Sequence, residues 1–426
     1  MLTPSLKTGG EGASAPYRSA ERVEEEARGL AEAIALGVIG YEAVTLSKVV
    51  PATYIGKGVA ERIQEGFRDA HGDIVPPDLI ILNTQLSPVQ QRNLENFWKT
   101  KVIDRTGLIL EIFGERAQTR EGRIQVDLAA LSYQRSRLVR SWTHLERQRG
   151  GAGFMGGPGE TQIELDRRII DDKIARLKLQ LEKVQKTRHL QKRKRDAKPY
   201  PLVALVGYTN AGKSTLFNTL TDANVFAEDL PFATLDTTSR ALRLTSGEEI
   251  ILSDTVGFIT DLPTHLVEAF KATLESVTEA DVIVHVRDIA AEDSDAQKKD
   301  VIHVLKSLGI DYVHDPRVIE AHNKVDLIDP DTLPRMEGAT SVGISALHGE
   351  NLNLLLEKIS VKLQQNYVRR RYDIPYAQAK ARAWLFDHAD IMSESAQDNG
   401  EGWVLDVKLS PENESKFLKN YGNILK

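Results

Sequence analysis

The sequence predicts a multidomain α/β protein. Up to about residue 115, short apolar runs alternate with helical patterns. Residues 124–184 follow a heptad pattern that a glycine-rich stretch interrupts, and after residue 201 a glycine-containing loop joins an apolar run to a helical pattern. Alternating strands and helices are typical of parallel sheets with crossover helices. The 426 residues are enough for two to four domains.

The composition excludes several classes of protein. The chain has no cysteine, so it carries no disulfide framework, no thiol nucleophile and no thiolate metal site. No apolar run approaches the ~18 residues of a membrane-spanning helix, and the first twenty residues lack the apolar core of a signal peptide. We therefore expect a cytoplasmic protein without a membrane span. The net charge of −6 leaves nucleic-acid binding open, because a whole-chain sum conceals local basic segments.

The N-terminal part is predicted to be a short tail followed by a small α/β domain. Residues 1–18 are rich in Gly, Ser, Thr and Pro, and we expect them to be a disordered tail. Residues 19–115 are predicted to form the N-terminal α/β domain. Its predicted helices are Ser19–Leu36, Gly58–Ala70 and Pro88–Trp98, and its predicted strands are Val38–Val44, Leu79–Leu82 and Lys101–Asp104.

Residues 116–198 are predicted to form an antiparallel helical hairpin. Apolar residues recur in steps of four and three along both arms, which is the spacing of a coiled-coil seam. Residues 150–162 separate the arms, and their many glycines favour a non-helical tip. The seam residues are Ile124, Leu128, Leu131, Arg135, Leu138, Trp142 and Leu145 in the first arm, and Ile163, Ile170, Ile174, Leu177, Leu181 and Val184 in the second.

Positive charge is concentrated in this hairpin. Residues 133–198 hold 18 Lys and Arg against 8 Asp and Glu, a net charge of +10, so the remainder of the chain carries −16. A charge run alone is more often a solvated helix face, but a basic hairpin with a glycine-rich tip favours binding to a polyanion such as RNA. The candidate RNA contacts are Arg149, Gly153, Gly157, Lys192, Arg193, Lys194 and Arg195.

A phosphate-binding loop follows the apolar run Leu202–Val206. It fits the pattern GxxxxGK[ST] between a predicted strand and a predicted helix, the context in which such a loop surrounds the phosphates of a nucleotide with backbone N–H groups. Lys213 would contact the β- and γ-phosphates, and the Ser214 hydroxyl would bind Mg²⁺. The nucleotide contacts predicted in this loop are Gly207, Tyr208, Thr209, Asn210, Ala211, Gly212, Lys213, Ser214 and Thr215.

Two downstream segments complete the predicted phosphate and metal site. Asp254 follows a predicted strand, where its carboxylate would hold Mg²⁺ through a water, and the Gly257 N–H would sense the γ-phosphate. Between the loop and Asp254 lies the polar stretch 231–238, which suits a switch segment. Within it we expect Thr234 to supply the second hydroxyl ligand of the metal, with Thr237 and Thr238 as alternatives. Lys213, Thr234 and Gly257 are thus the predicted catalytic residues.

The sequence Asn323-Lys324-Val325-Asp326 narrows the nucleotide to GTP. The Asp326 carboxylate can accept both N–H groups on one edge of guanine, whereas adenine leaves such an acceptor unpaired. Ser345 and Ala346 follow a further strand and would place the Ala346 N–H near the guanine carbonyl oxygen. Residues 199–370 are therefore predicted to be a P-loop GTPase domain.

Two residues bear on the predicted mechanism. Phe258 follows Gly257 at the position where Ras-like enzymes carry the glutamine that orients the attacking water, so we expect slow intrinsic hydrolysis that needs a group or a partner from elsewhere. Asn210 lies inside the loop, and its amide oxygen is a candidate ligand for a K⁺ ion that bridges the phosphates.

With these motifs in place, the chain resembles the HflX family of ribosome-associated GTPases from about residue 20 to the C-terminus. The resemblance rests on Tyr54–Gly58, Gln91–Glu95, Val102–Phe113 and Gly157–Gln162. The sequence departs from the family pattern at Gly156, where the family tip usually has arginine, and at Val286-Arg-Asp288, where it usually has Val-Asp.

The resemblance implies a function in translation. It implies binding to the large ribosomal subunit and its RNA, separation of stalled or idle ribosomes into subunits, and hydrolysis of GTP that the ribosome stimulates. It also makes residues 371–426 an accessory domain, in which Ala381–Phe386 and Gly402–Leu409 are predicted strands and Pro411–Asn420 a predicted helix. We expect the protein to be a monomer.

Two alternatives differ from this function. A GTPase that modifies transfer RNA, as the related MnmE proteins do, would use a C-terminal cysteine, and the chain has none. A passive, GTP-regulated RNA-binding or ribosome-assembly factor stays open, since slow intrinsic hydrolysis fits both a splitting factor and a passive one.

Overall fold

A computed structural model describes residues 1–6, 18–68, 71, 73–148, 158–195, 200–221, 232, 238–260, 274–329, 340–365, 367–397, 400–409 and 411–422. Within its helices, side chains are described except at residues 139–148, 158–163, 185, 187–195 and 411–412. The predicted multidomain α/β class is confirmed, with three sheets and a helical hairpin among the described residues. The predicted domain boundaries stay a prediction.

The first sheet has four parallel strands in the order β2-β1-β3-β4. Three of the four helices in this part begin at a side-chain cap: the Ser19 side chain accepts from Arg22 N, Ser87 and Gln90 form a capping box, and the Asp104 side chain accepts from Gly107 N. The strands are β1 (Leu2–Leu6), β2 (Glu42–Leu46), β3 (Leu79–Leu82) and β4 (Lys101–Asp104), and the helices are α1 (Ala20–Glu32), α2 (Lys57–Glu65), α3 (Pro88–Trp98) and α4 (Arg105–Arg116).

The expectation of a disordered tail over residues 1–18 is wrong for its first residues. Leu2–Leu6 forms the second strand of the sheet, in register with Glu42–Leu46 of β2. Pro4 is an unfavourable residue inside a sheet, because proline has no N–H to donate. It is tolerated because Leu2 alone pairs with β3, at Leu82, so the strand is joined to that neighbour at one end only. Residues 7–17 lie outside the described part of the chain.

Three further elements in this part have bounds that differ from the prediction, and the first is α1, which ends at Glu32 and not at Leu36. The strand expected at Val38–Val44 begins later and extends to Leu46, and the helix expected at Gly58–Ala70 ends at Glu65, before Gly66. The helix α4 was not predicted as an element. It is nearly continuous apolar sequence, and its residues 108–110, 112 and 113 are buried between the first sheet and the rest of the protein.

The hairpin consists of the two longest helices, α5 (Arg120–Gln148) and α6 (Pro158–Arg195). Ile124, Leu128 and Ile174 are buried between them, and Leu131, Ile170, Leu177, Leu181 and Val184 pack against that cluster. These eight are among the apolar seam residues that the heptad pattern predicts, whereas the predicted seam residue Leu138 is half-buried and lies outside this cluster. Arg135 on α5 bridges to Asp171 on α6 at 2.7 Å. The side chain of Trp142 lies outside the described residues.

The second sheet has six strands in the order β10-β9-β8-β5-β7-β6, and all pair in parallel except the edge strand β6. This order brings the carboxyl ends of the parallel strands β5, β7, β8 and β9 to one edge of the sheet. The loops at this edge are where parallel sheets bind ligands. The strands are β5 (Leu202–Val206), β6 (Thr238–Arg243), β7 (Glu249–Asp254), β8 (Val282–Asp288), β9 (Val318–Asn323) and β10 (Ser341–Gly343), and the helices are α7 (Lys213–Thr221), α8 (Glu275–Thr278), α9 (Ser294–Ser307) and α10 (Leu352–Gln365).

The C-terminal part has a three-stranded antiparallel sheet in the order β11-β13-β12. Its elements are β11 (Val368–Pro375), α11 (Ala379–His388), β12 (Asp390–Ala396), β13 (Gly402–Leu409) and α12 (Pro411–Tyr421). The strand predicted at Ala381–Phe386 is wrong, because these residues are helical. Ala381 and Leu385 are buried on one face with the four-residue spacing of a helix, and they pack with Phe417 of α12.

A cavity of about 410 Å³ separates this part from the second sheet. Glu248, Tyr367, Asp390 and Lys408 are among its lining residues, and Tyr367 donates a hydrogen bond to Glu248. Burial raises the pKa of the Glu248 carboxyl group. The cavity lies away from the phosphate loop. Among the helices of the described residues, none is both long and apolar enough to span a membrane.

Candidate nucleotide-binding site

The loop between β5 and α7 depends on two glycines. Gly207 lies so close to β8 that a Cβ atom there would be 2.2 Å from the carbonyl oxygen of Val286. Gly212 has φ of +87°, and a Cβ atom there would be 2.2 Å from Asn323 Nδ2. Both contacts are far shorter than any real carbon contact, so these positions require glycine. The loop therefore approaches its neighbours through bare backbone, as a phosphate-binding loop must.

Lys213, the predicted phosphate ligand, is the first residue of α7 and only 6% exposed. Its Nζ donates to the carbonyl oxygen of Tyr208 at 2.7 Å. Burial lowers the pKa of Lys213 to about 8, although the nearby carboxylate of Asp254 opposes the shift. The ammonium group is thus held within the loop itself, and an anion would restore its full basicity.

The predicted metal ligands Ser214 and Asp254 lie side by side. The Ser214 hydroxyl donates to Asp254 Oδ2 at 2.7 Å, and Asp254 is fully buried at the end of β7. A hydroxyl and a carboxylate next to a phosphate loop are the oxygen donors that Mg²⁺ prefers, and such a site keeps several waters and the phosphates as its other ligands. The donor set fits Mg²⁺. Among the described residues no group of three or more His, Cys, Asp or Glu gathers as a metal cluster.

The segment after Asp254 lies directly against the phosphate loop. The Phe258 N–H donates to Gly207 O at 3.1 Å, and the Thr209 N–H donates to Phe258 O at 2.7 Å. A Cβ atom at Gly257 would be 2.8 Å from Thr209 Cγ2 and 3.1 Å from Lys213 Nζ. Gly257 therefore sits beside the lysine that is expected to contact the γ-phosphate. The Phe258 side chain is 1% exposed and packs in the apolar core.

Asn323 joins the phosphate loop to the loop that carries Ser345 and Ala346. Its Nδ2 donates to Ala211 O at 2.8 Å, and its Oδ1 accepts from the Ala346 N–H at 2.9 Å. The side chain is 2% exposed, so both bonds are shielded from water. The Ala346 N–H, predicted to face the guanine oxygen, is thus engaged by Asn323 in this conformation. Thr219 on α7 adds a third link by donating to Ala346 O at 2.8 Å.

The other predicted base contacts gather around this link. Lys324 has φ of +66° and its Nζ lies 2.8 Å from Asp288 Oδ2, at the end of β8. Asp326 lies in a 3₁₀ turn (Val325–Leu327), where His348 Nε2 is 3.8 Å from its Oδ2. Ser345 is fully buried and accepts from His348 N at 3.2 Å. The pattern Val286-Arg-Asp288 therefore still supplies a carboxylate to Lys324.

Comparison with known proteins identifies the family. Three family models match successive parts of the chain: "GTP-binding GTPase N-terminal" over residues 21–114, "GTP-binding GTPase Middle Region" over 116–195 and "50S ribosome-binding GTPase" over 202–324. The GTPase HflX of Magnetococcus marinus is 45% identical over 394 residues, which cover 92% of this chain and 89% of that protein. The chain belongs to the HflX family. The predicted resemblance is confirmed, and the protein is a GTPase.

Other relatives and structures extend the comparison. The GTPase HflX of Escherichia coli is 38% identical over 371 residues, which cover 85% of each protein. Among solved structures, a GTP-binding protein from Sulfolobus solfataricus in complex with GDP matches with a TM-score of 0.42 and 24% identity, covering 86% of this chain and 99% of that one. This HflX-family chain binds and hydrolyses GTP, and the site described above is the one that its motifs predict for the nucleotide.

Several predicted residues lie outside the described part of this HflX-family chain. Thr234 and Thr237 are among them, whereas Thr238 begins β6 and pairs with Asp254. Asn210 is exposed in the loop, with φ of +60°. Three of the candidate RNA contacts, Arg149, Gly153 and Gly157, also lie outside the described residues. The other four belong to α6, but their side chains are not described: Lys192, Arg193, Lys194 and Arg195.

One polar cluster of this HflX-family chain was not predicted from sequence. The Tyr208 hydroxyl, from the second residue of the phosphate loop, donates to Glu26 Oε2 of α1 at 2.6 Å and lies 2.6 Å from Thr260 Oγ1. Tyr208 and Glu26 are 182 residues apart. No local pattern signals such a contact, because each residue alone fits an ordinary loop or helix surface.

Proposed function

We propose that this protein is a GTP-hydrolysing translation factor that binds the large ribosomal subunit and dissociates stalled or idle ribosomes into subunits. The observation that carries the proposal is the hairpin α5–α6, whose seam buries apolar residues of both helices and which presents many basic residues to solvent. Arg167, Arg168, Lys173, Arg176, Lys178, Lys183 and Lys186 are all exposed on α6.

A long basic hairpin suits folded RNA. RNA helices are recognised through their shape and phosphates, and Lys and Arg side chains on a rigid rod can follow a phosphate backbone without reading sequence. The family model named "50S ribosome-binding GTPase" matches residues 202–324, which include the phosphate loop, Asp254 and Asn323. We therefore infer that the partner is the large subunit and its ribosomal RNA. We also infer that the protein acts as a monomer in the cytoplasm.

The hydrolytic site would work chiefly by positioning. Ser214 and Thr234, with Asp254 through a water, would hold Mg²⁺, and the bound ion would supply positive charge to the phosphate oxygens. Lys213 would bind the β- and γ-phosphates, and the Gly257 N–H would bind the γ-phosphate. Asp326 would select guanine by accepting its two N–H groups. A K⁺ ion at Asn210 is a further candidate for the phosphate site.

The chain lacks a polar group directly after Gly257. Phe258 is buried and apolar, so it can neither orient nor deprotonate the attacking water. We therefore infer slow intrinsic hydrolysis that the ribosome accelerates by moving the segment around Gly257 or by supplying a group. The same property fits a second candidate function, a GTP-regulated RNA-binding or assembly factor that does not split ribosomes.

Sedimentation distinguishes the two functions. Vacant ribosomes are mixed with the protein and GTP, a non-hydrolysable GTP analogue or GDP, and then separated on a sucrose gradient. Loss of joined ribosomes with the triphosphate forms is the expected result. Co-migration of the protein with intact ribosomes would instead support the passive factor. A Lys213→Ala variant that still splits ribosomes fully would remove the nucleotide from the mechanism.

A pair of matched charge reversals tests the hairpin. Arg176→Glu with Lys183→Glu places two negative charges seven residues apart on the exposed face of α6. The control, Lys299→Glu with Lys306→Glu, makes the same change at the same spacing on the exposed face of α9. We expect the hairpin pair to weaken ribosome binding at least tenfold, with a smaller salt dependence, and the α9 pair to bind normally. Equal effects of both pairs would contradict a hairpin contact.

A further inference from the structure

The loop between β10 and α10 carries an exposed histidine whose backbone position is fixed. Ser345 and Glu350 bond to each other twice, with each N–H donating to the other residue's carbonyl oxygen at 3.2 and 3.1 Å. The Ser345 Oγ atom also accepts from the His348 N–H at 3.2 Å. Asn351 Nδ2 closes the loop by donating to Gly343 O at 3.0 Å. The backbone of His348 is therefore held, while its exposed side chain has room to rotate.

The carboxylate that is expected to select guanine lies opposite this loop. Asp326 belongs to the 3₁₀ turn Val325–Leu327. The Val325 N–H of this turn donates to Ile344 O, directly after β10, at 3.3 Å. His348 follows Ile344 by four residues. Because a backbone hydrogen bond joins the turn to the loop, the two segments stay next to each other whatever their side chains do.

The imidazole of His348 and the carboxylate of Asp326 are neighbours without a hydrogen bond. Nε2 of His348 lies 3.8 Å from Oδ2 of Asp326. This distance suits an ion pair but is too long for a hydrogen bond. The Asp326 side chain is 15% exposed and the His348 side chain 57%. A small rotation of the imidazole, on the solvent side of the pair, is enough to close the gap.

The remaining charged groups around His348 have other partners or are exposed. Lys324 Nζ lies 2.8 Å from Asp288 Oδ2, and Lys213 Nζ donates to Tyr208 O. Both glutamates are exposed. The charged residues on the surrounding elements are Asp326 and Lys324 of the turn, Glu350 of the loop itself, Lys213 of α7 and Glu357 of α10. Asp326 is therefore the group that a protonated His348 would bind.

Guanine needs both oxygens of Asp326. The base presents two N–H groups on one edge, and a carboxylate accepts one of them with each oxygen. A protonated imidazole is a stronger donor to a carboxylate than these neutral N–H groups, because its hydrogen bond is charge-assisted at both ends. Histidine gains its proton between about pH 5 and pH 8. Protonation of His348 thus places a competing donor at Oδ2 of Asp326.

We propose that His348 is a positioning residue of the base site, which leaves Asp326 to guanine when neutral and engages it when protonated. The inference rests on the proposed role of Asp326 in selecting guanine. Affinity for guanine nucleotides therefore falls as the pH decreases through the range in which histidine titrates. General attraction between a protonated histidine and the phosphates has the opposite sign, since it tightens binding at low pH. The sign of the dependence thus identifies the contact with Asp326.

Titrations of the full chain with GDP at pH 5.5 and pH 7.0, at constant ionic strength, test the inference. We expect the rise in Kd from pH 7.0 to pH 5.5 to be at least threefold larger in the parent than in His348→Gln. Titration of the nucleotide and of Asp326 itself is common to both proteins. The contribution of Lys213 is nearly constant over this range, because the lysine is charged below its pKa of about 8.

A variant with a permanent charge provides the converse test. Lysine is charged at both pH values, so His348→Lys should bind GDP at least threefold more weakly than His348→Gln at pH 7.0 and at pH 5.5. The control is His314→Gln. His314 Nδ1 lies 3.0 Å from Asp311 Oδ2, and this exposed pair precedes β9, at the opposite end of that strand from Asn323. The control should keep the pH profile of the parent.

Proton release measures the same competition independently. If GDP displaces a protonated imidazole from Asp326, binding must release protons, since ligand binding and proton binding are linked. Calorimetric titrations at pH 6.5 in two buffers of different ionisation enthalpy count these protons. We expect the parent to release at least about 0.2 proton per GDP more than His348→Gln does. Equal proton release in the two proteins would contradict the competition.

The possible failures are distinguishable. Parallel pH profiles of the parent and His348→Gln, or a parent that binds relatively more tightly at pH 5.5, would overturn the role of His348. Asp326→Ala, titrated at pH 7.0, checks the premise and should weaken GDP binding at least tenfold. If it does so while the His348 profiles are parallel, the inference alone is wrong. If Asp326→Ala binds GDP normally, the proposed base contact is wrong as well. No ribosome is present, so these results do not depend on ribosome splitting.

Discussion

The side-chain oxygen of Asn323 accepts a hydrogen bond from the Ala346 N–H at 2.9 Å, while its nitrogen donates to Ala211 O at 2.8 Å. One buried amide therefore ties the loop expected to contact the base to the loop expected to contact the phosphates. This side chain, together with Thr219, aligns the two halves of the nucleotide site. An amide suits this position because it offers a donor and an acceptor in one uncharged planar group.

Asn323→Ala should weaken GDP binding at least tenfold and lower the free energy of unfolding by about 3 kcal/mol, because a buried carbonyl and a buried N–H both lose their partners. Fluorescence titration and urea unfolding measure the two effects. Asn93→Ala is the control, since Asn93 also donates to a backbone carbonyl, Ala52 O at 2.8 Å, but this hydrogen bond is exposed to solvent in the N-terminal part. It should leave GDP affinity unchanged. Equal losses of affinity in both variants would refute the alignment role.

Gly212→Ala should abolish nucleotide binding, and Gly247→Ala provides a matched control. Both glycines have φ of +87°, so alanine is strained equally at either position. A Cβ atom at Gly212 would collide with Asn323 Nδ2 at 2.2 Å, whereas one at Gly247 meets nothing within 4 Å. We expect Gly247→Ala to cost about 1 kcal/mol of stability without loss of GDP affinity. Calorimetric titration of both variants with GDP separates the effect of backbone strain on GDP affinity from the effect of the collision with Asn323.

The sequence motifs identify a candidate nucleotide site because their chemistry is local. Gly207, Gly212 and Lys213 form one continuous motif, and Asp326 lies within another, so residue type and spacing alone identify them. The prediction failed where long-range contacts decide. Leu2–Leu6 becomes a strand only because β2 and β3 flank it, and Ala381–Phe386 becomes a helix because it packs on Phe417. The pairing of Glu26 with Tyr208 depends on how two parts of the chain meet, which no local pattern records.

The lowered pKa of Lys213 predicts a pH-dependent affinity for GDP. In the free protein the lysine is charged below its pKa of about 8 and neutral above it, because burial disfavours the cation. Bound phosphate requires the charged form, so affinity is complete below pH 8 and decreases above it. Between pH 7 and pH 9 we expect Kd to rise about tenfold, since one pH unit above the pKa corresponds to about 1.4 kcal/mol.

Titration of GDP binding without divalent cations measures this dependence, and Lys213→Arg is the control. Arginine stays charged over the whole range, so its pH profile contains only the titration of the nucleotide and of other groups. The parent profile should be steeper than the Lys213→Arg profile. If the two profiles are parallel between pH 7 and pH 9, Lys213 does not lose its proton in the free protein.

The strand Leu2–Leu6 predicts that the first residues contribute to stability. Leu2 is 5% exposed and packs in the apolar cluster with Val44 and Leu82, whereas Leu6, at the other end of the same strand, is 53% exposed. Leu2→Ala should therefore lower the free energy of unfolding by about 2 kcal/mol, while Leu6→Ala should change it by less than about 0.5 kcal/mol. Urea unfolding monitored by tryptophan fluorescence measures both changes in free energy, because Trp98 lies in the same cluster as Leu2. Equal and small effects of both substitutions would mean that these residues do not pair with the sheet in solution.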